Sequence, residues 1–195
     1  MISENLLLDY GATLLDLSEN ELVFTEGKKA NFFFQLKTGA IKMYNLNEQG
    51  KEFVQGMFGD GESFGEPPMF GGFEYPASAI TIRKSILYKV PKDSFFSLLK
   101  DNFDFHLKLS AALSKRLAYK SMILKEISGH PPEHRILTLV DFLKEKDGTS
   151  SKYQVDLTRQ QIADLTGLRV ETVIRGFKQL EVEGEIEIIN RKVYR

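Results

Sequence analysis

The sequence predicts an α+β chain of two domains: a β-rich roll leading into a long helix, then a small winged helix-turn-helix. Three observations lead there. Ten of the fifteen glycines lie before residue 73, interleaved with short strand-like runs, a spacing that suggests a sandwich or barrel-like roll. From Lys92 the apolar period lengthens from two to about 3.6 residues, and no proline or glycine interrupts residues 101–127, room for a helix of about seven turns. Residues 158–178, TRQQIADLTGLRVETVIRGFK, repeat as two short helices joined at Gly167.

Composition narrows the class. With 195 residues, 42% hydrophobic and 27% charged, the chain is an ordinary soluble globular protein with room for two modest domains. Its longest apolar runs, residues 32–36 and 95–99, fall far short of the roughly 20 residues that cross a membrane. No basic segment leads into a signal-type stretch, so a cytoplasmic location is expected. The absence of cysteine excludes disulfides, thiolate-ligated iron-sulfur clusters and a cysteine redox switch. A formal net charge of -1 neither supports nor opposes nucleic-acid binding, which needs only a local basic face.

In chain order, an apolar segment at residues 2–8 reads as a helix packed on the roll. Candidate strands follow at residues 21–25, 31–36, 39–45, 51–57, 78–82 and 85–90, divided by turn formers such as Asn47, Gly50, Gly59 and Gly61. In the long helix Leu109, Leu113, Leu117 and Leu124 make one apolar line, and Leu107, Ala111, Ala118 and Met122 a second. Two apolar sides need two partners. Burial within one monomer would satisfy both; the expected arrangement is instead a dimer helix carrying Leu109, Leu113, Leu117 and Leu124. Residues 128–132, SGHPP, form a hinge where prolines block the helix, giving domains at 1–128 and 129–195. A helix at 132–146 with Ile136, Val140 and Leu143 on one side, a polar loop at 147–152 and a short strand at 153–157 then enter the helix-turn-helix, and residues 185–190 and 192–194 make the wing hairpin.

Inside the helix-turn-helix, Thr158 and Gln161 have capping-box spacing and Ile162 and Leu165 face inward. Val173, Phe177 and Leu180 form the buried stripe of the second helix, leaving Glu171, Arg175 and Lys178 on another face. That face suits a DNA groove: arginine donates twice to guanine, glutamate accepts from cytosine N4, and Val170 and Ile174 can press on thymine methyls. The plainer alternative for Glu171 and Arg175 is an i,i+4 surface ion pair worth about 0.2 to 0.5 kcal/mol. Gln160, Arg169, Thr172 and Lys178 are candidates for phosphate contact, which positions a protein without reading sequence.

This ordering resembles the cyclic AMP receptor protein and fumarate-nitrate reduction regulator (Crp/Fnr) superfamily of bacterial transcription factors over nearly the whole chain. The matching segments are residues 32–44 with Gly39, the Gly50-Lys51-Glu52 turn, Gly61-Glu62-Ser63-Phe64-Gly65-Glu66, and residues 157–175. The resemblance implies a jelly-roll-like double-stranded β-helix of the cyclic-nucleotide-binding type, a dimerisation helix and a winged helix-turn-helix. It assigns base reading to Glu171 and Arg175; Val170 is similar to the fumarate-nitrate branch and implies TTGA-like half-sites in a palindrome, whereas Arg169 and Ile174 depart from that branch. RNA polymerase is a further partner it implies.

In family members that bind cyclic nucleotides, a Gly-Glu pair and a later arginine with a small hydroxyl residue hold the ligand. Here Gly65-Glu66 is present, but Tyr75-Pro76-Ala77-Ser78 carries no arginine. A buried phosphate would lose its strongest charge-assisted bonds, so the expected effector is a small molecule other than cyclic AMP, at a pocket of Phe64, Gly65, Glu66, Tyr75 and Ser78. Phe64, Phe70, Phe73 and Tyr75 read equally as core. His106, His130 and His134 are the only imidazoles and none lies in the roll, which leaves haem without a ligand there. No metal-ligand cluster, cysteine nucleophile, phosphate-binding glycine loop or Ser-His-Asp arrangement is evident, so no enzyme activity, metal or cofactor is expected. The other function class is a metabolite-sensing or partner-docking protein whose winged helix makes protein contacts.

Overall fold

Two long bent strands carry the roll, and shorter strands pair along each half of them. The computed structural model describes the chain except Met1, Lys51 and Ser150 and the side chains of Ile127 and Ser128; Lys51, expected to open a strand, and the Ser128 side chain of the hinge lie outside it. The elements are α1 (Glu4–Asp9), β1 (Thr13–Leu17), β2 (Leu22–Phe24), β3 (Phe32–Leu46), β4 (Glu52–Phe58), β5 (Ser63–Phe64), α2 (Pro67–Gly71), β6 (Ser78–Pro91), α3 (Lys92–Asp101) and α4 (Phe103–Gly129). They continue with α5 (Pro132–Asp147), α6 (Arg159–Thr166), α7 (Val170–Val182), β7 (Glu187–Ile189) and β8 (Lys192–Tyr194). By its contacts the chain divides into Met1–Ser114 and Lys115–Arg195.

In the first unit β3 and β6 run antiparallel from Phe32 opposite Pro91 to Tyr44 opposite Ser78. β1 and β2 pair with the two ends of β6, and β4 and β5 with the two ends of β3. Each long strand was expected as two. The pairing register slips near Thr38 and Ala40, so the strands bend without ending, as bulges allow. Gly39 makes the bend possible: its φ is +125°, and a Cβ there would stand 2.2 Å from Ser85 Oγ. Aromatic side chains fill the interior. Phe33 stacks on Phe95 of α3 with ring centroids 4.1 Å apart, and Phe24 stacks on Tyr75 at 3.7 Å. α1 seals one end by burying Leu7, and Gln35 exchanges two hydrogen bonds with the Ile2 backbone. β1, β5 and α2 were not anticipated; the helical stretch expected from Lys92 divides into α3 and α4 because the backbone leaves helical geometry at Asn102, with φ -130° and ψ 77°.

In the second unit α5, α6 and α7 enclose Ile136, Leu139, Val140, Ile162, Val173, Phe177 and Leu180, all buried. α5 and α7 meet closely at Gly176, where a Cβ would lie 2.5 Å from Ile136 Cδ1. Tyr119 of α4 stacks on Phe142 of α5 at 4.2 Å. The wing turns at Asn190 and Arg191, both with positive φ, as a two-residue hairpin of the favoured twist requires. The strand expected at 153–157 is a short pairing segment: Tyr153 exchanges two backbone hydrogen bonds with Arg195, and Val155 donates to Val193. No helix among the described residues is long and apolar enough to cross a membrane.

Candidate DNA-reading face and effector pocket

The helix-turn-helix is shaped by its caps. Thr158 Oγ1 accepts from the Gln161 N–H at 3.1 Å and the Thr158 N–H donates to Gln161 Oε1 at 2.8 Å, completing the capping box that starts α6. Gly167 ends it in the left-handed region with φ +70°, and the Leu168 N–H closes the turn on the Ala163 carbonyl at 3.0 Å. α7 then buries Val173, Gly176, Phe177 and Leu180, and the Arg159 guanidinium lies over the Phe177 ring.

That burial fixes what α7 turns outward. Glu171, Ile174, Arg175 and Lys178 are exposed, Val170 and Thr172 are half-buried, and Arg169 stands exposed just before the helix. Among the described residues no ion pair joins Glu171 to Arg175. Gln160 is exposed, yet its amide donates to the buried Asp164 one helical turn on, at 2.7 Å.

In the roll, Phe64, Gly65, Glu66, Tyr75 and Ser78 are all buried. Gly65 has φ +79°, and a Cβ there would come within 3.1 Å of the Phe24 ring and 3.4 Å of Tyr75. Ser78 Oγ accepts the Glu26 N–H at 3.0 Å, so that hydroxyl already serves the fold. Burial, with the Glu66 carboxylate adding to it, pushes the Tyr75 hydroxyl up to about 12. Phe70 and Phe73 are exposed, unlike Phe64 and Tyr75. Arg83, the nearest cation in sequence, donates to the Gly39 carbonyl at 2.9 Å.

Of the four leucines expected on one dimer line, Leu109 and Leu113 pack against the roll's core, whereas Leu117 and Leu124 are exposed. Phe103 and Leu107 are exposed too. Helical spacing sets Phe103, Leu107, Leu117 and Leu124 on one face of α4, roughly a 100° sector.

One grouping of possible ligands was not singled out in the sequence. Glu126, His130 and His134 bring donor atoms within 4.8 Å of one another. Their i, i+4, i+8 spacing was a usable signal, but Pro131 and Pro132 argued against one continuous helix and hid it.

Residues 14–102 match the cyclic nucleotide-binding domain family, and residues 134–195 the Crp-like helix-turn-helix domain family. The chain is 22% identical to the transcriptional activator protein anr of Pseudomonas aeruginosa over 182 residues, covering 91% of this chain and 74% of the relative. It is 26% identical to the cAMP-activated global transcriptional regulator CRP of Escherichia coli over 160 residues, covering 80% of this chain and 76% of the relative. Its fold is similar to FixK2 from Bradyrhizobium japonicum, with a TM-score of 0.77, 21% identity and coverage of 93% and 91% of the two chains. A CooA mutant from Carboxydothermus hydrogenoformans gives 0.81 at 18% identity, covering 100% and 86%. A cyclic-nucleotide-binding-type roll followed by a helix-turn-helix of this kind defines a two-domain transcriptional regulator. The chain belongs to the Crp/Fnr superfamily.

Proposed function

We propose that this regulator acts as a homodimer that reads a palindromic duplex through α7, with Val170, Glu171, Ile174 and Arg175 at base edges and Arg169, Thr172, Lys178 and Gln160 at phosphates. The observation that carries the reading is the exposed pairing of Glu171 and Arg175 one turn apart, free of a mutual ion pair, opposite the buried Val173–Phe177–Leu180 stripe. Together they offer the donors for guanine and the acceptor for cytosine N4 that a G·C-containing half-site needs. TTGA-like half-sites are the proposed target, RNA polymerase is a proposed partner, and the site of action is the cytoplasm. The chain works as a regulator with no catalytic activity of its own.

The exposed face of α4, with Phe103, Leu107, Leu117 and Leu124, supports the dimer, since a second copy would cover it by the same residues. The effector is a small molecule other than cyclic AMP: Tyr75-Pro76-Ala77-Ser78 lacks the arginine that would pair with a buried phosphate. Replacing Arg175 with Ala tests the DNA reading. Fluorescence anisotropy on the selected duplex is expected to show a loss of about 1 to 3 kcal/mol in specific binding, with non-specific binding much less affected. Unchanged specific affinity would favour a winged helix that docks a protein partner.

A further inference from the structure

Three side chains outside the DNA-reading face and the roll converge where α4 gives way to α5. Glu126 lies in the last turns of α4, His130 directly follows that helix, and His134 sits in the first turn of α5. Glu126 Oε2 is 2.5 Å from His134 Nδ1, and Glu126 Oε1 is 4.0 Å from His130 Nε2. The two imidazoles stand edge to face with centroids 4.3 Å apart. Glu126 is only 5% exposed, and a carboxylate so buried is either paired or holds a metal ion.

We propose that Glu126, His130 and His134 form a binding site for one divalent first-row transition-metal ion, of the Zn(II) class, that pins the end of α4 to the start of α5. Two imidazoles and one carboxylate are the donor set of three-ligand zinc sites that keep a position open for water. Imidazole disfavours Ca(II) and Mg(II), which take oxygen ligands. Bonds of about 2.0 to 2.2 Å place tetrahedral donors about 3.3 Å apart, and donor atoms already within 4.8 Å reach that spacing by side-chain rotation. Access is direct: His134 lines an open cleft of about 570 Å³ with Glu133, Arg175, Glu183 and Glu185. The site stands whether or not α7 reads DNA.

The test is a titration of the full-length protein, stripped with a chelator, with Zn(II) by calorimetry and with Co(II) by visible absorption. One ion per chain is expected, with Co(II) bands that Zn(II) abolishes. His130→Ala and His134→Ala should each weaken binding at least about ten-fold, and Glu126→Gln should do the same, while His106→Ala changes nothing. Imidazole NMR of the unaltered protein gives a second readout that needs no variant: His130 and His134 signals shift on adding Zn(II) and His106 does not. Absence of saturable binding, equal affinity in the variants, or a shift confined to His106 would overturn the proposal.

Discussion

Tyr75 illustrates how single residues couple the roll's interior to its stability. Its ring stacks on Phe24 and its hydroxyl is pushed up to about 12, first by burial and second by Glu66. A hydroxyl whose folded value exceeds its unfolded value near 10 contributes stability below pH 10, and that contribution is lost as pH rises from 10 toward 12. Urea unfolding at pH 8 and pH 11 is expected to show a smaller decline for Tyr75→Phe than for the unaltered chain. The residues proposed to read DNA were legible as chemistry, because the buried stripe of Val173, Phe177 and Leu180 leaves Glu171 and Arg175 together on the outer face. The burial of Asp164 was not, since the i,i+4 spacing that pairs it with Gln160 reads equally as a solvated helical pair.

Among the elements, those with strong local signals were read correctly, as were the strands that became β2 and β4, whereas the continuity of the long strands was not. The capping box at Thr158 and the left-handed turn at Gly167 are local chemistry, and both stand in the structure as their spacing implied. Replacing Thr158 with Ala should destabilise the second unit by about 1 kcal/mol, with Ser restoring most of it, measured by chemical unfolding. The bent strands β3 and β6 were read as broken because Lys37 and Thr38, and Arg83 and Lys84, interrupt the apolar alternation. Backbone pairing across those bulges, which no local pattern encodes, keeps each strand whole. The break at Asn102 was equally silent, having neither proline nor glycine to announce it.

The regulator is proposed to work as two copies. An exposed stripe of Phe103, Leu107, Leu117 and Leu124 on α4 is apolar surface that a monomer would leave in water. Replacing Leu117 and Leu124 with Glu is therefore expected to yield monomers in sedimentation velocity. Specific DNA affinity should fall with it, because a lone α7 face has few cations and a short footprint. A dimer would set two recognition helices about 34 Å apart, one turn of DNA.

Selection of duplexes from a randomised pool by the ligand-free protein, at moderate salt and followed by sequencing, tests whether α7 reads sequence. A palindrome of TTGA-like half-sites centred one helical turn apart is expected. Recovery of no sequence preference, with or without candidate effectors added, would contradict it and leave the winged helix as a protein-docking module.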